Sequence, residues 1–240
     1  MLNALFTGYL LAILSSWLKS SFDNYQLKNR SLLARSKCDH CGKKLKWFNL
    51  FPILSYLFQR GTSTCCKKKI SQNYLYIESF TFLIGCIFVF FEFSLSSILL
   101  IPFLVILVFL DEKYQEIPIW LNALILLIVS LSKENLDPIM LLNAGMIFLG
   151  LIIIYLLYKV FRKREGLGLG DIILIFSLSL YLEIPTIFLL ISMSAALLIV
   201  KIIFSKDYYQ PHAFGSWLSG CLIGFILFQE FYEFANSVPN

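Results

Sequence analysis

Charge is what this chain has least of. Only 15% of its 240 residues are Asp, Glu, Lys or Arg, whereas a soluble domain usually carries about a quarter. With 58% hydrophobic residues and a mean hydropathy of +0.77, a water-soluble globule is excluded, and no nucleic-acid partner is expected. A phosphate-binding loop is lacking too. Gly166-Leu167-Gly168-Leu169-Gly170 is glycine-rich, but no strand precedes it and it leads into an apolar stretch. No internal repeat or long low-complexity tract is visible. A cleavable leader is also missing: 2–18 has no basic preface and runs into Trp17-Leu18-Lys19 rather than small residues, so it reads as a retained first span.

What is present is apolar sequence in long runs, with 23 Phe that suit lipid-facing surfaces. Candidate spans are 2–18, 74–91, 96–110, 117–132, 139–158, 168–182, 185–204 and 214–231, most near the length a helix needs to cross about 30 Å of hydrocarbon. The third and sixth are short. The expected fold is an all-α polytopic membrane protein of about eight transmembrane helices, with a small zinc-knuckle-like cytoplasmic insert. It divides into a first helix (1–19), a cysteine-containing insert (20–73) and a membrane-embedded domain (74–240). Eight spans put every Lys and Arg except Lys133 on one side, and the positive-inside rule makes that side cytoplasmic. Both termini then lie outside.

Two carboxylates stand out. Asp111 closes the third span and Asp171, in Gly168-Leu169-Gly170-Asp171, opens the sixth, so both sit at the cytoplasmic face. Carboxylates at a bilayer are costly and functional by default. Two on one face suggest a dyad that shares a proton, in which one group takes a proton from water while the other donates one. Such a pair should approach within about 4–8 Å, with Gly168 and Gly170 allowing close backbone approach before Asp171. Taken singly, Asp111 is also an ordinary charge in a polar loop, and Asp171 a first-turn residue suited to a helix dipole. Glu78, about one turn into the second span, is either a paired structural carboxylate or a group that positions substrate. The run Lys159, Arg162, Lys163, Arg164 is a topology anchor, and His212 is a lone loop histidine. A transporter or membrane scaffold is the rival reading, with the aspartates on an ion pathway.

The insert carries Cys38-Asp39-His40-Cys41 and, later, Cys65-Cys66. Paired thiols in a reducing compartment, with a short turn- or β-rich stretch between them, form a zinc-knuckle pattern, and so small an insert needs a staple. The second pair is irregular, because Ser63 stands where C-x-x-C would have Cys. The ligand set is Cys38, Cys41, Cys65 and Cys66, with His40 or water competing for the fourth place and incidental cysteines as the alternative. Cys86 and Cys221 lie inside spans as small buried residues.

Together these residues resemble the prepilin peptidase family, the type IV leader peptidases of the G-x-G-D aspartic protease class. The resemblance runs through Arg35–Gly42, Asn49–Tyr56 with its Pro-x-x-Ser-Tyr, Ile70-Ser71 with Tyr74 and Glu78, Asp111 to Ile117-Pro118, Gly168–Asp171, and loosely Pro211-His212-Ala213-Phe214-Gly215. Three positions depart from the family pattern: Ser63 replaces a cysteine, Ile173 replaces a lysine, and the amino-terminal motif is reduced to Ser15-Ser16-Trp17. The resemblance implies catalysis by Asp111 and Asp171 with no cofactor for proteolysis. The substrates would be prepilin or pseudopilin precursors of a type IV pilus, secretion or competence system, cut after a glycine. It further implies N-methylation of the new amino terminus with S-adenosylmethionine, and a location in a bacterial plasma membrane.

Overall fold

The computed structural model of the chain describes residues 2–24, 35–91, 93–132, 137–162, 166–206 and 212–237. Lys133, Lys163, Arg164 and Pro211, singled out above, lie outside them. In chain order the elements are α1 (Leu2–Phe22), a single 3-10 turn (Trp47–Leu50), α2 (Leu54–Phe58), α3 (Gln72–Phe90), α4 (Leu95–Tyr114), α5 (Ile119–Ser132), α6 (Pro138–Arg162), α7 (Leu169–Ser179), α8 (Ile184–Ser205) and α9 (Phe214–Ser237). Only two isolated β-bridges occur among the described residues, so the all-α expectation holds. Of the eight expected spans, four helices among the described residues are long and apolar enough to cross a membrane: α4, α8, and α6 and α9 over Pro138–Phe161 and Phe214–Glu233.

Two of the spans that differ from their apolar limits bear on the site. The helix expected over 96–110 runs through Asp111 to Tyr114. It stops where Gln115 takes a left-handed φ of 54° and closes its N–H onto Asp111 O at 2.9 Å, a left-handed helix stop. Pro118 then starts α5 by accepting from the N–H groups of Leu121 and Asn122. The helix expected over 168–182 has only 11 residues, about 16 Å. It need not match a bilayer, because α5, α6, α8 and α9 all pack around it and its Ile172, Leu174, Ile175 and Leu178 are buried in protein.

Contacts divide the chain into two compact units, Met1–Ile106 and Leu107–Asn240. The second is built around α7, with α8 and α9 packed together beside it. Only 11% of the apolar window of α6 and 17% of that of α8 is buried, so those two offer the surface a lipid phase would cover. The first unit is built on the antiparallel pair α1 and α3. Apolar burial cannot drive helix association in lipid, so close packing and polar contacts must do it. A Cβ on Gly8 would lie 2.7 Å from Phe82 O, and one on Gly85 would lie 2.9 Å from Gly8 Cα. Further along, Ser15 and Thr81 share a buried hydrogen bond of 2.9 Å, and Asp23 accepts from Tyr74 Oη at 2.9 Å and from Lys19 Nζ at 2.5 Å.

Gly8→Leu forces a side chain into that backbone contact. The expected cost is about 1–3 kcal/mol, read as a lower unfolding midpoint in detergent. An unchanged midpoint would show that the two helices do not meet at Gly8.

Candidate active site

Asp111 and Asp171 converge, although sixty positions separate them in the chain. A Cβ built on Gly215 would lie 2.8 Å from Asp171 Oδ1 and 3.2 Å from Asp111 Oδ2, so these two oxygens are no more than 6.0 Å apart. That bound lies below the upper limit of about 8 Å for two carboxyls that act on one water or peptide carbonyl. Asp111 sits in the last turn of α4 and is buried. Its Oδ2 accepts the backbone N–H of Ser216 at 2.6 Å, one of the first-turn donors that a helix cannot satisfy by itself. The carboxylate therefore caps α9 and lies at the positive end of its dipole.

Asp171 is the third residue of α7. Its N–H and that of Ile172 both reach Gly168 O, at 3.1 and 3.2 Å, which folds the turn so that Asp171 Oδ2 lies over Gly168. A Cβ at Gly168 would stand 3.1 Å from that oxygen. Gly170 makes room on the other side, since its Cβ would be 2.9 Å from Ile117 Cβ. Asp171 Oδ1 is buried without a side-chain partner and lies beside Gly215, where a Cβ would stand 2.8 Å from it.

Several groups that hold this arrangement carry no sequence signature. Asn122, fully buried on α5, donates from Nδ2 to Gly170 O at 3.0 Å and pins the turn before Asp171. Glu112 accepts from Lys201 Nζ at 2.6 Å and from Ser216 Oγ at 3.3 Å, tying the end of α4 to α8 and α9. Gly215 was legible only as part of the loose Pro-His-Ala-Phe-Gly element. The structure shows how crowded a side chain would be there: beyond both carboxylates, its Cβ would stand 2.5 Å from Ile117 Cδ1, which would have to shift.

Glu78 belongs to the first unit, and its contacts are there. Its Oε2 accepts the Ile53 N–H at 2.7 Å, and Ser16 also reaches it. Ile53 has φ 59° and ψ −58°, with Leu54 N–H closing onto Pro52 O at 2.5 Å. This is a γ-turn that a β-branched residue adopts only under strain, and Glu78 is the acceptor that holds it.

The four insert cysteines converge as well, with all four Sγ atoms within 4.8 Å of one another. Cys38 and Cys66 are 3.7 Å apart and Cys41 and Cys65 3.1 Å. Four thiolates at about 2.3 Å from one tetrahedral ion stand about 3.8 Å apart, so the set fits a metal after shifts of an ångström or less. His40 turns away and meets Lys69 O at 3.0 Å. Burial acts to raise the Cys38 thiol, but hydrogen bonds involving Ser63, the Cys41 and His40 backbone and Cys65 outweigh it and bring it down to about 6.

A repeat invisible in the sequence explains the irregular second pair. Cys38 N–H to Lys43 O, Gly42 N–H to Cys38 O and the bridge Lys37–Lys44 recur as Ser63 N–H to Lys68 O, Lys67 N–H to Ser63 O and the bridge Thr62–Lys69. The left-handed Gly42 (φ 71°) recurs as Lys67 (φ 58°). Ser63 is thus the backbone equivalent of Cys38, and Cys66 that of Cys41. Ser63 Oγ sits 3.4 Å from Cys38 Sγ and 3.0 Å from Cys65 Sγ, and Cys65 supplies the sulfur that Ser63 lacks.

Residues 10–93 match the model of the bacterial peptidase A24 N-terminal domain, and residues 98–204 that of the type IV leader peptidase family. The chain is 28% identical over 211 residues to a prepilin leader peptidase/N-methyltransferase of Pectobacterium carotovorum subsp. carotovorum, covering 80% of this chain and 74% of that one. It is 31% identical over 208 residues to the protein of that name from Neisseria gonorrhoeae, covering 80% and 70%. It is also 31% identical over 152 residues to the one from Dichelobacter nodosus, covering 58% and 52%. No solved structure matches. With two adjoining family models over most of its length, the second spanning both carboxylate positions, and a relative 31% identical that is covered over 70% of its length, this chain belongs to the type IV prepilin leader peptidase family.

Proposed function

We propose that the protein is a membrane aspartic endopeptidase that removes the leader of prepilin or pseudopilin precursors at the cytoplasmic face of a bacterial plasma membrane, and then N-methylates the new amino terminus. The observation that carries the peptidase reading is the meeting of Asp111 and Asp171 across Gly215, within 6.0 Å. One carboxylate takes a proton from the attacking water while the other, protonated, donates to the scissile carbonyl. Collapse of the tetrahedral adduct returns that proton to the departing amine. The pair acts as a unit, and Gly168 and Gly170 let the turn before Asp171 pack closely against that carboxylate and Ile117. Both carboxylates lie in terminal turns, Asp111 at the end of α4 and Asp171 at the start of α7. Ion-coupling carboxylates of transporters sit near the bilayer midplane instead.

In this reading α1, α3, α5 and α7 join the four long apolar helices as spans, giving eight, and the insert faces the cytoplasm. The metal is zinc, held by Cys38, Cys41, Cys65 and Cys66, where it would cross-link the two halves of the insert. Methylation uses S-adenosylmethionine. That donor supplies a methyl group on a sulfonium, and the freed amine takes the methyl while the sulfur keeps the bonding pair.

Asp111→Asn and Asp171→Asn should each lower prepilin cleavage by roughly 10²–10⁴-fold with membrane insertion intact. Gly215→Ala, which pushes into both carboxylates, should cost on the order of 10²-fold. Cleavage that survives either aspartate change removes the dyad. Purified protein should contain about one zinc per chain, and Cys38→Ser or Cys65→Ser should lower that content; undiminished zinc in Cys65→Ser would hand the fourth place to His40. A reporter inserted at Lys43 should read cytoplasmic and one after Asn240 extracytoplasmic, and a cytoplasmic carboxy terminus would break the eight-span count.

A further inference from the structure

Among the described residues, the insert leaves an aromatic face uncovered. Trp47, Phe48, Phe51, Leu54 and Phe58, from the 3-10 turn through α2, line an open groove of about 700 Å³. Trp47 is 71% exposed and Phe58 85%. An apolar patch rimmed by polar groups marks an interaction surface. Here the rim is cationic: Arg60 and Lys67 line the groove, and Lys46 Nζ stands 5.7 Å from the centre of the Phe48 ring. The wider segment has charge of one sign only, since residues 41–70 hold seven Lys or Arg and no Asp or Glu. A single hydrogen bond sets the height of this face against the helices. Glu78, whose Oε2 accepts the Ile53 N–H, lies six residues past Gln72, the first of α3, and so about 9 Å along the helix axis. The turn between the aromatic 3-10 segment and α2 is thereby drawn down beside α3, rather than standing clear of its end.

We propose that this face docks on the anionic surface of the membrane that α1 and α3 cross, with its aromatic side chains among the headgroups and Lys46, Arg60 and Lys67 on lipid phosphates. Aromatic residues favour that depth, and Trp brings an N–H for the polar side. Basic residues beside them are drawn to an anionic leaflet, and apolar side chains bordered by cations are the pattern of a segment that lies in the interface. The insert is tethered to α1 at one end and α3 at the other, so docking is intramolecular in effect and a small patch suffices. The inference rests on α1 and α3 being spans with the insert on the cytoplasmic side; neither the dyad nor the cysteine cluster takes part. It gives the strained turn at Ile53 a task, because the Glu78 carboxylate that holds it keeps the aromatic face at the level of the bilayer surface.

The test uses the full-length protein in nanodiscs of phosphatidylcholine alone or mixed with phosphatidylglycerol. A trace phospholipid carries a diazirine close to its headgroup, and the positions it labels on irradiation are mapped by mass spectrometry. Label is expected in 47–58 as well as in α1 and α3, and that in 47–58 should rise about threefold or more in the anionic discs. Lys46→Gln combined with Arg60→Gln and Lys67→Gln should abolish that rise, and Trp47→Ser with Phe58→Ser should remove most of the label from 47–58. Unchanged labelling of α1 and α3 reports that the variants are inserted; where it changes, the comparison of the unaltered protein in the two kinds of disc decides. Label in α1 and α3 with none in 47–58, or equal label there in both kinds of disc, overturns the docking. If 47–58 lacks lipid label and an amine-reactive crosslinker joins Lys46 of two chains, the face belongs to a second copy and the proposal falls. Label missing from α1 and α3 as well refutes the span reading beneath it.

Discussion

A carboxylate among apolar helices is tolerated only where donors wait for it, and for Asp111 the donor is the first turn of α9. The Ser216 N–H that no helix bond could use finds an acceptor in Asp111, and the carboxylate that would otherwise sit uncompensated finds a dipole end. The rest of the site follows from that contact. To bring its first turn to Asp111, α9 must start against Asp171 and Ile117, and a side chain at position 215 would have to displace Ile117 or the carboxylates. Glu112, Ser216 and Lys201 then hold α4, α8 and α9 in the same register.

The two units solve different problems by related means. In the second, short α7 is sheathed by four helices, so a polar turn at its start can exist without exposing backbone to lipid. In the first, α1 and α3 approach at Gly8 and Gly85 and are joined further along by Ser15, Thr81, Asp23 and Tyr74. The polar end of that pair holds, through Glu78, an insert that has little apolar core of its own. The backbone of the insert repeats across Cys38 and Ser63, so the change from cysteine to serine at one arm is offset within the same turn by Cys65.

Much of this was legible early. The all-α class followed from hydropathy alone, and the pairing of Asp111 with Asp171 from their shared face and the family spacing, because in a membrane chain a carboxylate is rare enough to be informative by type. The convergence of the four cysteines was legible for a similar reason, since thiols clustered in pairs have few uses. The exact helix ends were not. Asp111 was read at the edge of a polar loop, yet the helix continues past it, because a left-handed Gln115 rather than the loss of apolar residues ends α4.

Sequence by itself determined what is local or chemical: apolar runs that must be helices, and the residue types able to move a proton or hold a metal. Tertiary structure alone decided what depends on distance between remote segments. That Asn122 pins the Gly170 carbonyl, that Gly215 is the gap into which both carboxylates point, and that Glu78 accepts the Ile53 N–H are facts about packing. Glycine, asparagine and serine are common residues with many uses, and their composition and spacing hold no trace of the neighbour that the fold will bring within 3 Å.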